Sequence, residues 1–225
     1  MKTNTVSIIL TLDPIETSLG ILLEDLLAQT HRQFEVIVAS LGNTEQNKAI
    51  VESYRDKLDL QFIQLDGQAV NVAKNLAVEK AKYERLLFLN PKLRLAPDFI
   101  YQSLSYLDKQ QLWLASGKLQ VQDVSLITRL VLDGFNLLMW LSKFMNPLST
   151  FDCLFTTKQV HNTIGGFDIH ETKTCNYLQK AVKTFNYNVI NTGAQYARGQ
   201  IEQQGTLTFI GKYLRDYLRL LVKNI

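Results

Sequence analysis

The side chains best placed to do chemistry in this chain are polar residues that close apolar runs. Thr11 and Asp13 follow Val6-Ser7-Ile8-Ile9-Leu10, Ser40 closes the run 34–39, and Asn90 and Lys92 follow Arg85-Leu86-Leu87-Phe88-Leu89. Lys74 and Asn75 come after a third run at 60–65, and Arg198 comes after Val189-Ile190. Hydroxyl, amide, ammonium and guanidinium groups of this kind suit a polar, phosphate-bearing ligand, for which lysine is a competent point charge. Each has a plainer reading beside it: Lys74 as a solvated lysine, Asn75 as a helix-polar asparagine, Arg198 as the partner of a nearby carboxylate. Among the acids, Asp152, Asp168 and Glu171 fall in a later stretch, where Asp168 also suits a capping role after Gly165-Gly166-Phe167. Cys175 has no histidine near it in sequence and reads as a small buried residue rather than a nucleophile.

These residues need a frame, and the hydrophobic pattern supplies one. Apolar β-branched runs at 6–10, 34–39, 60–65 and 85–89 read as strands, and apolar residues at helical spacing fill 17–30, 45–54 and 70–82 between them. Continuous apolar strands alternating with helices predict a mostly parallel central sheet with helices on both faces, a doubly wound, nucleotide-binding-like unit. Ligands of such sheets sit beyond the carboxyl ends of the strands, which is where Thr11, Asp13, Ser40, Asn90 and Lys92 fall. The later part is less regular. Helices are expected at 97–109, 125–145, 174–184 and 206–223, and strands at 113–121, 154–156 and 189–190, with a further segment at 159–164. The whole reads as one α/β domain over 1–225, in which about 1–118 forms the ligand-binding half and about 119–225 a smaller second half.

Bulk properties narrow the partners. The 225 residues are 46% hydrophobic and 20% charged with a net charge of +3, ordinary for a globular protein and too weakly basic to argue for nucleic acid. Two cysteines, Cys153 and Cys175, lie far apart, and His31, His161 and His170 show no metal-ligand spacing, so neither a disulfide framework nor a zinc site is expected. That cysteine usage fits a reducing, cytoplasmic compartment. The N-terminal apolar run is too short for a secretory signal, and Arg129, Asp133 and Lys143 interrupt the greasy stretch 126–145, which argues against a membrane span.

Four ordered blocks then give a resemblance that covers most of the chain. Residues 34–45, FEVIVASLGNTE, resemble the second-strand signature F-E-I-I-V-V-D-D-G-S-T-D of family 2 glycosyltransferases. AKNLA at 73–77 resembles the family's A-R-N-x-G, and AKYERLLFLNPK at 81–92 fits A-x-G-E-Y-I-x-F-L-D-x-D without a gap. GGFD at 165–168 matches the turn before the family's acceptor-side acidic motif. The resemblance implies a GT-A type fold and a nucleotide-sugar donor.

It also implies a mechanism whose usual acids are missing here. The family's second-strand aspartates hold the nucleoside, its D-x-D aspartates hold a divalent cation on the diphosphate, and a later carboxylate takes the acceptor's proton. In this sequence Ser40 and Leu41 stand at the second-strand positions, Asn90-Pro91-Lys92 at D-x-D, and Thr174 and Cys175 at the acceptor-side pair. Ser40 can still hydrogen-bond a base or ribose. Lys92 puts an ammonium where a cation would sit, so an Mg²⁺ or Mn²⁺ site is not expected and no other cofactor is implied. Lys92 reads either as a surrogate cation on the diphosphate or as a solvated lysine. Glu171 and Asp168 are the remaining candidates for the base, and Asp152 falls where a pocket-lining polar residue would lie.

Three functions follow from the resemblance: a metal-independent transferase, a scaffold without turnover that binds a partner protein, and a peripheral membrane or lipid-binding module. The amphipathic segments 126–145 and 207–223 are the expected contacts with a membrane surface, a protein partner or a second copy, or else pack on the core.

Overall fold

A computed structural model of the chain describes residues 4–13, 16–42, 45–144, 147–170 and 175–197, together with Thr208, Ile210, Gly211 and Arg215. In chain order its elements are β1 (Val6–Leu12), α1 (Leu19–Leu27), β2 (Phe34–Ser40), α2 (Glu45–Tyr54), β3 (Leu60–Gln64), α3 (Val70–Lys80), β4 (Arg85–Leu89) and β5 (Leu93–Leu95). They continue with α4 (Phe99–Lys109), β6 (Leu114–Gly117), α5 (Leu126–Ser142), β7 (Cys153–Thr157), α6 (Lys158–Thr163), α7 (Cys175–Ala181), β8 (Tyr187–Ile190) and β9 (Ala194–Tyr196).

Seven strands form one sheet in the order β3-β2-β1-β4-β7-β6-β8. β1 pairs in parallel with both β2 and β4, so the strand order reverses between β1 and β4. The continuous apolar strands are explained by burial on both faces. Ile8 and Leu10 join the core beneath α1 and α4, while Ile9 joins the opposite core with Ala77 and Val78 of α3. On β4, Leu87 and Leu89 face the first core, and Leu86 and Phe88 face the second.

The second half departs from simple alternation. β7 runs antiparallel to both β4 and β6, which restores β6 to the direction of β4. The strand expected over 113–121 ends at Gly117. An ideal Cβ on that glycine would lie 3.0 Å from the Cys153 Cβ, so the two strands approach closely there. The chain then leaves the sheet and continues extended, with Val121 bridging Tyr196. β5 and β9 form a two-stranded antiparallel ribbon that the sequence pattern did not signal, because three-residue strands carry too little periodicity.

α5 begins at Ser125, whose side chain accepts from the Thr128 N–H. It buries Leu132, Phe135 and Met139 but leaves Leu126, Ile127, Leu130, Leu137 and Leu141 exposed, and Phe144 just beyond its end is exposed too. Among the described residues no helix is long and apolar enough to cross a membrane. The helix expected over 206–223 falls mostly outside the described residues. The four that are described there are helical, and Ile210 is buried in the main core.

Two buried charges anchor the frame away from the sheet's carboxyl edge. Glu35 on β2 accepts hydrogen bonds from Ser7 Oγ (2.6 Å), Gln61 Nε2 (2.8 Å) and the Lys82 N–H. Arg85, 2% exposed, donates to the carbonyls of Leu112 and Trp113 and lies 3.8 Å from Asp108.

Candidate functional site

The reversal of strand order leaves a crevice beyond the carboxyl ends of β1 and β4, the place where open α/β sheets bind ligands. A cavity of about 260 Å³ occupies it. Six of the residues expected from sequence line this cavity: Thr11 and Asp13 at the end of β1, Lys74 on α3, Asn90 and Lys92 on the turn after β4, and Asp152 on the approach to β7. The sheet brings them together although they span 141 positions from Thr11 to Asp152 (152 minus 11).

Asn90 is the hub. Its backbone N–H donates to the Asp152 carbonyl at 2.7 Å, and its Nδ2 donates to Asp152 Oδ1 at 2.9 Å and to the Tyr196 hydroxyl at 3.1 Å. Its Oδ1 accepts from the Lys92 N–H at 3.0 Å. Both ends of the amide are therefore engaged, which fixes the side chain and orients the nearly buried Asp152 carboxylate. The Lys92 side chain is exposed at the lip, whereas the Lys74 ammonium lies 5.0 Å from the Phe167 ring centroid, a cation–π contact.

The remaining expected residues have other placements. Ser40 is fully buried, and its hydroxyl donates to the Gly42 carbonyl at 3.0 Å instead of facing the cavity. Asn75 points away from the cavity and grips the Gly-Gly-Phe turn, donating to the Phe167 carbonyl and accepting from its N–H at 2.8 and 2.9 Å. Gly166 is required in that turn: φ is +72°, and a Cβ would lie 2.9 Å from Asn75 Oδ1. Asp168 serves the same loop, with its carbonyl accepting from Asn71 Nδ2 and its Oδ1 from the His170 N–H. Glu171 and Arg198 lie outside the described residues.

Reading by strand ends missed four lining or supporting residues. Glu16 lines the cavity while its Oε1 accepts the Ser18 N–H at the start of α1. Thr150 and Phe151 also line it, and Tyr196 holds Asn90 from a strand 106 positions away. Of these only Glu16 carried a signal, as an acid just after a strand break.

The donor set of the turn after β4 does not fit an Mg²⁺ or Mn²⁺ cage. Such ions take several hard oxygens, whereas this turn offers one amide oxygen, with one lone pair already taken by a backbone N–H, and Lys92 brings positive charge. Asp13, Glu16 and Asp152 line the cavity without converging: among the described residues no three His, Cys, Asp or Glu side chains could hold one ion. Nucleophilic chemistry at Cys153 is also disfavoured, because burial pushes its thiol up to about 12. His161, packed against the stacked pair Phe167 and Tyr177, is pushed down to about 4 by burial and stays neutral at neutral pH.

A parallel sheet with one antiparallel strand inserted beyond β4, and a polar crevice at its point of reversal, defines a GT-A type glycosyltransferase fold. Residues 8–163 match the model of Glycosyl transferase family 2, and the chain belongs to that family. Over 106 residues it is 29% identical to EpsH of Bacillus subtilis (strain 168), a protein named as a glycosyltransferase; the match covers 46% of this chain and 30% of that one. Among solved structures, S. aureus TarS 1–349 in complex with UDP-GlcNAc superposes with a TM-score of 0.68 at 19% identity, covering 86% of this chain and 58% of that one. The mannosyltransferase PcManGT from Pyrobaculum calidifontis, in complex with GDP-Man and Mn²⁺, gives 0.72 at 15% identity, with 86% and 56% covered. The chain thus spans less than two thirds of each of these relatives.

Proposed function

We propose that this family 2 chain binds a nucleotide-sugar in the crevice beyond β1 and β4 and transfers the sugar without a divalent cation. One observation carries the reading: the turn after β4 offers a single amide oxygen, Asn90 Oδ1, which already accepts the Lys92 N–H, and the exposed cation Lys92 lines the cavity. Breaking the bond between the anomeric carbon and phosphate oxygen leaves the electron pair, and negative charge, on the departing diphosphate. Lys92 and Lys74 offset that charge, a task in which lysine serves as a point cation. The acceptor's hydroxyl oxygen bonds to the anomeric carbon, and its proton passes to a carboxylate. Asp152, held by Asn90 in the cavity, is the best placed of the described acids for that step. The complexes of TarS with UDP-GlcNAc and of PcManGT with GDP-Man support a nucleotide-sugar as the ligand class.

The test is calorimetric titration of UDP-GlcNAc and GDP-mannose with EDTA and then with Mn²⁺. Equal binding under both conditions supports the reading, and binding that needs Mn²⁺ overturns it. A second reading, a scaffold that binds without turnover, is favoured by the commitment of Ser40 and Asp168 to backbone contacts. Nucleotide binding with no sugar transfer or donor hydrolysis over long incubation would select it.

The exposed stripe of α5 supports attachment of this face to a membrane surface or to another protein. Flotation with phosphatidylcholine–phosphatidylglycerol vesicles and light scattering of the protein alone separate these two covers.

A further inference from the structure

A second and larger cavity, of about 820 Å³, lies beyond the carboxyl ends of β6 and β8. Its floor is the segment 118–122, which follows β6 and runs alongside Ile190–Tyr196. The Lys118 N–H donates to the Ile190 carbonyl, the Tyr196 N–H to the Gln120 carbonyl, and the Gln122 N–H to the Tyr196 carbonyl. Asn136 of α5 pins this floor, accepting the Leu119 N–H at 2.8 Å and donating to the Leu119 carbonyl at 2.9 Å. The groove is therefore a built surface, fixed by backbone bonds on one side and a buried amide on the other.

Its chemistry is specific. The side chains of Gln120, Gln122 and Gln195 all line it, half-buried, and among the described residues none of these amides has a protein hydrogen-bond partner. Each amide presents a carbonyl acceptor beside two N–H donors, the complement of neighbouring hydroxyls on a sugar ring. Charge does not select an anion, since Lys118 and Arg129 are matched by Asp123 and Asp133. Val121, partly exposed, supplies aliphatic surface for the C–H face of such a ring, over the buried Leu119 and Leu132. The volume lies in the range of ligand sites.

Position ties the groove to the first cavity. β6 and β8 run in the direction of β4, so their carboxyl ends share its edge of the sheet. Tyr196 links the two: its hydroxyl accepts from Asn90 of the first cavity, and its backbone pairs with the segment that floors the groove. We infer that this groove binds the acceptor and that the acceptor is an uncharged oligosaccharide, recognised through Gln120, Gln122 and Gln195. The inference rests on the nucleotide-sugar reading of the first cavity.

The experiment is ¹⁵N-detected titration of the whole chain, following the glutamine side-chain amides assigned by their loss in Gln120→Ala, Gln122→Ala and Gln195→Ala. The probes are chitotetraose, maltotetraose and cellotetraose as neutral chains, tetragalacturonate as an anionic one, and UDP and GDP for the first cavity. At least one neutral chain should shift the three amides, and Gln195→Ala should weaken its binding about tenfold, the equivalent of one to two hydrogen bonds. Gln120→Leu, which keeps the side chain's bulk, should weaken it similarly, and an unchanged nucleotide response in both variants shows that they are folded.

Silence to every neutral chain at about 50 mM, far above the millimolar range of weak binding, with nucleotide response intact, overturns this inference and leaves the first reading standing. Silence to both saccharide and nucleotide overturns both. A stronger response to tetragalacturonate overturns the assignment of an uncharged acceptor.

Discussion

At the scale of single residues, the site is organised around an amide where the family pattern has an acid. Asn90 can donate to Asp152 and Tyr196 at once, which an ionised aspartate cannot do. Asn90→Asp should therefore set two carboxylates against each other and lower thermal stability by about 1–3 kcal/mol, the usual cost of a buried polar group left unpaired; differential scanning calorimetry reads it. Lys92 faces solvent, so Lys92→Ala should leave the melting temperature unchanged while weakening nucleotide binding about tenfold, roughly 1.4 kcal/mol. Equal affinity in wild type and variant would return Lys92 to the status of a solvated lysine.

His161 gives a pH signature. Its folded-state value near 4 lies below the ordinary 6.5 because burial disfavours the charged ring. Between those values the unfolded chain takes up a proton that the folded chain refuses, so stability is full above about pH 6.5 and falls as pH drops toward 4. His161→Phe should flatten that part of a urea-denaturation series.

At the scale of elements, the buried charges hold strands that apolar contacts alone leave interchangeable. Arg85 satisfies two carbonyls of the chain leading into β6 and lies near Asp108 of α4. Arg85→Ala should cost about 3 kcal/mol by leaving those acceptors and Asp108 without their buried partner, seen as a lowered urea midpoint with an unchanged slope. The Gly-Gly-Phe turn makes a similar case. Gly166→Ala must strain a positive φ and push on Asn75, so it should lower the melting temperature, with a loss of about 1–3 kcal/mol.

The elements also show what a reader of sequence can see and why. β1, β2 and β4 were legible because each is buried on both faces and leaves a nearly unbroken apolar run, and the residues at their carboxyl ends came with them; the edge strand β3 is only partly buried and showed through its flanking elements. Thr11, Asp13, Asn90 and Lys92 line the cavity because topology alone puts them there. Ser40 sits at the same edge, yet it turns to the Gly42 carbonyl, a choice of rotamer that no strand pattern encodes. The ribbon of β5 and β9 was invisible for a different reason: its pairing joins distant three-residue segments, and neither has a period to read. The insertion of β7 against the run of the sheet was likewise set by tertiary packing and not by local preference.

At the scale of the whole molecule, polar and apolar surfaces are segregated. Both cavities open at the carboxyl edge of one sheet, and α5 walls the second cavity with Arg129, Asp133 and Asn136 while its outward stripe is aliphatic and aromatic. The stripe's residues make few demands on the fold. Leu130→Glu together with Leu137→Glu should therefore change stability by no more than about 0.5 kcal/mol, as surface substitutions do, while abolishing whichever association covers this face.

The ribbon of β5 and β9 also bears on the order of events during synthesis. Asn90 and Asp152 emerge from the ribosome well before Tyr196, whose hydroxyl completes the hub and whose backbone pairs with the segment that floors the groove. A nascent chain halted short of β9 would carry a finished parallel half and an unfinished crevice. The Asn90 hub would then be completed late, with the closing of two three-residue strands.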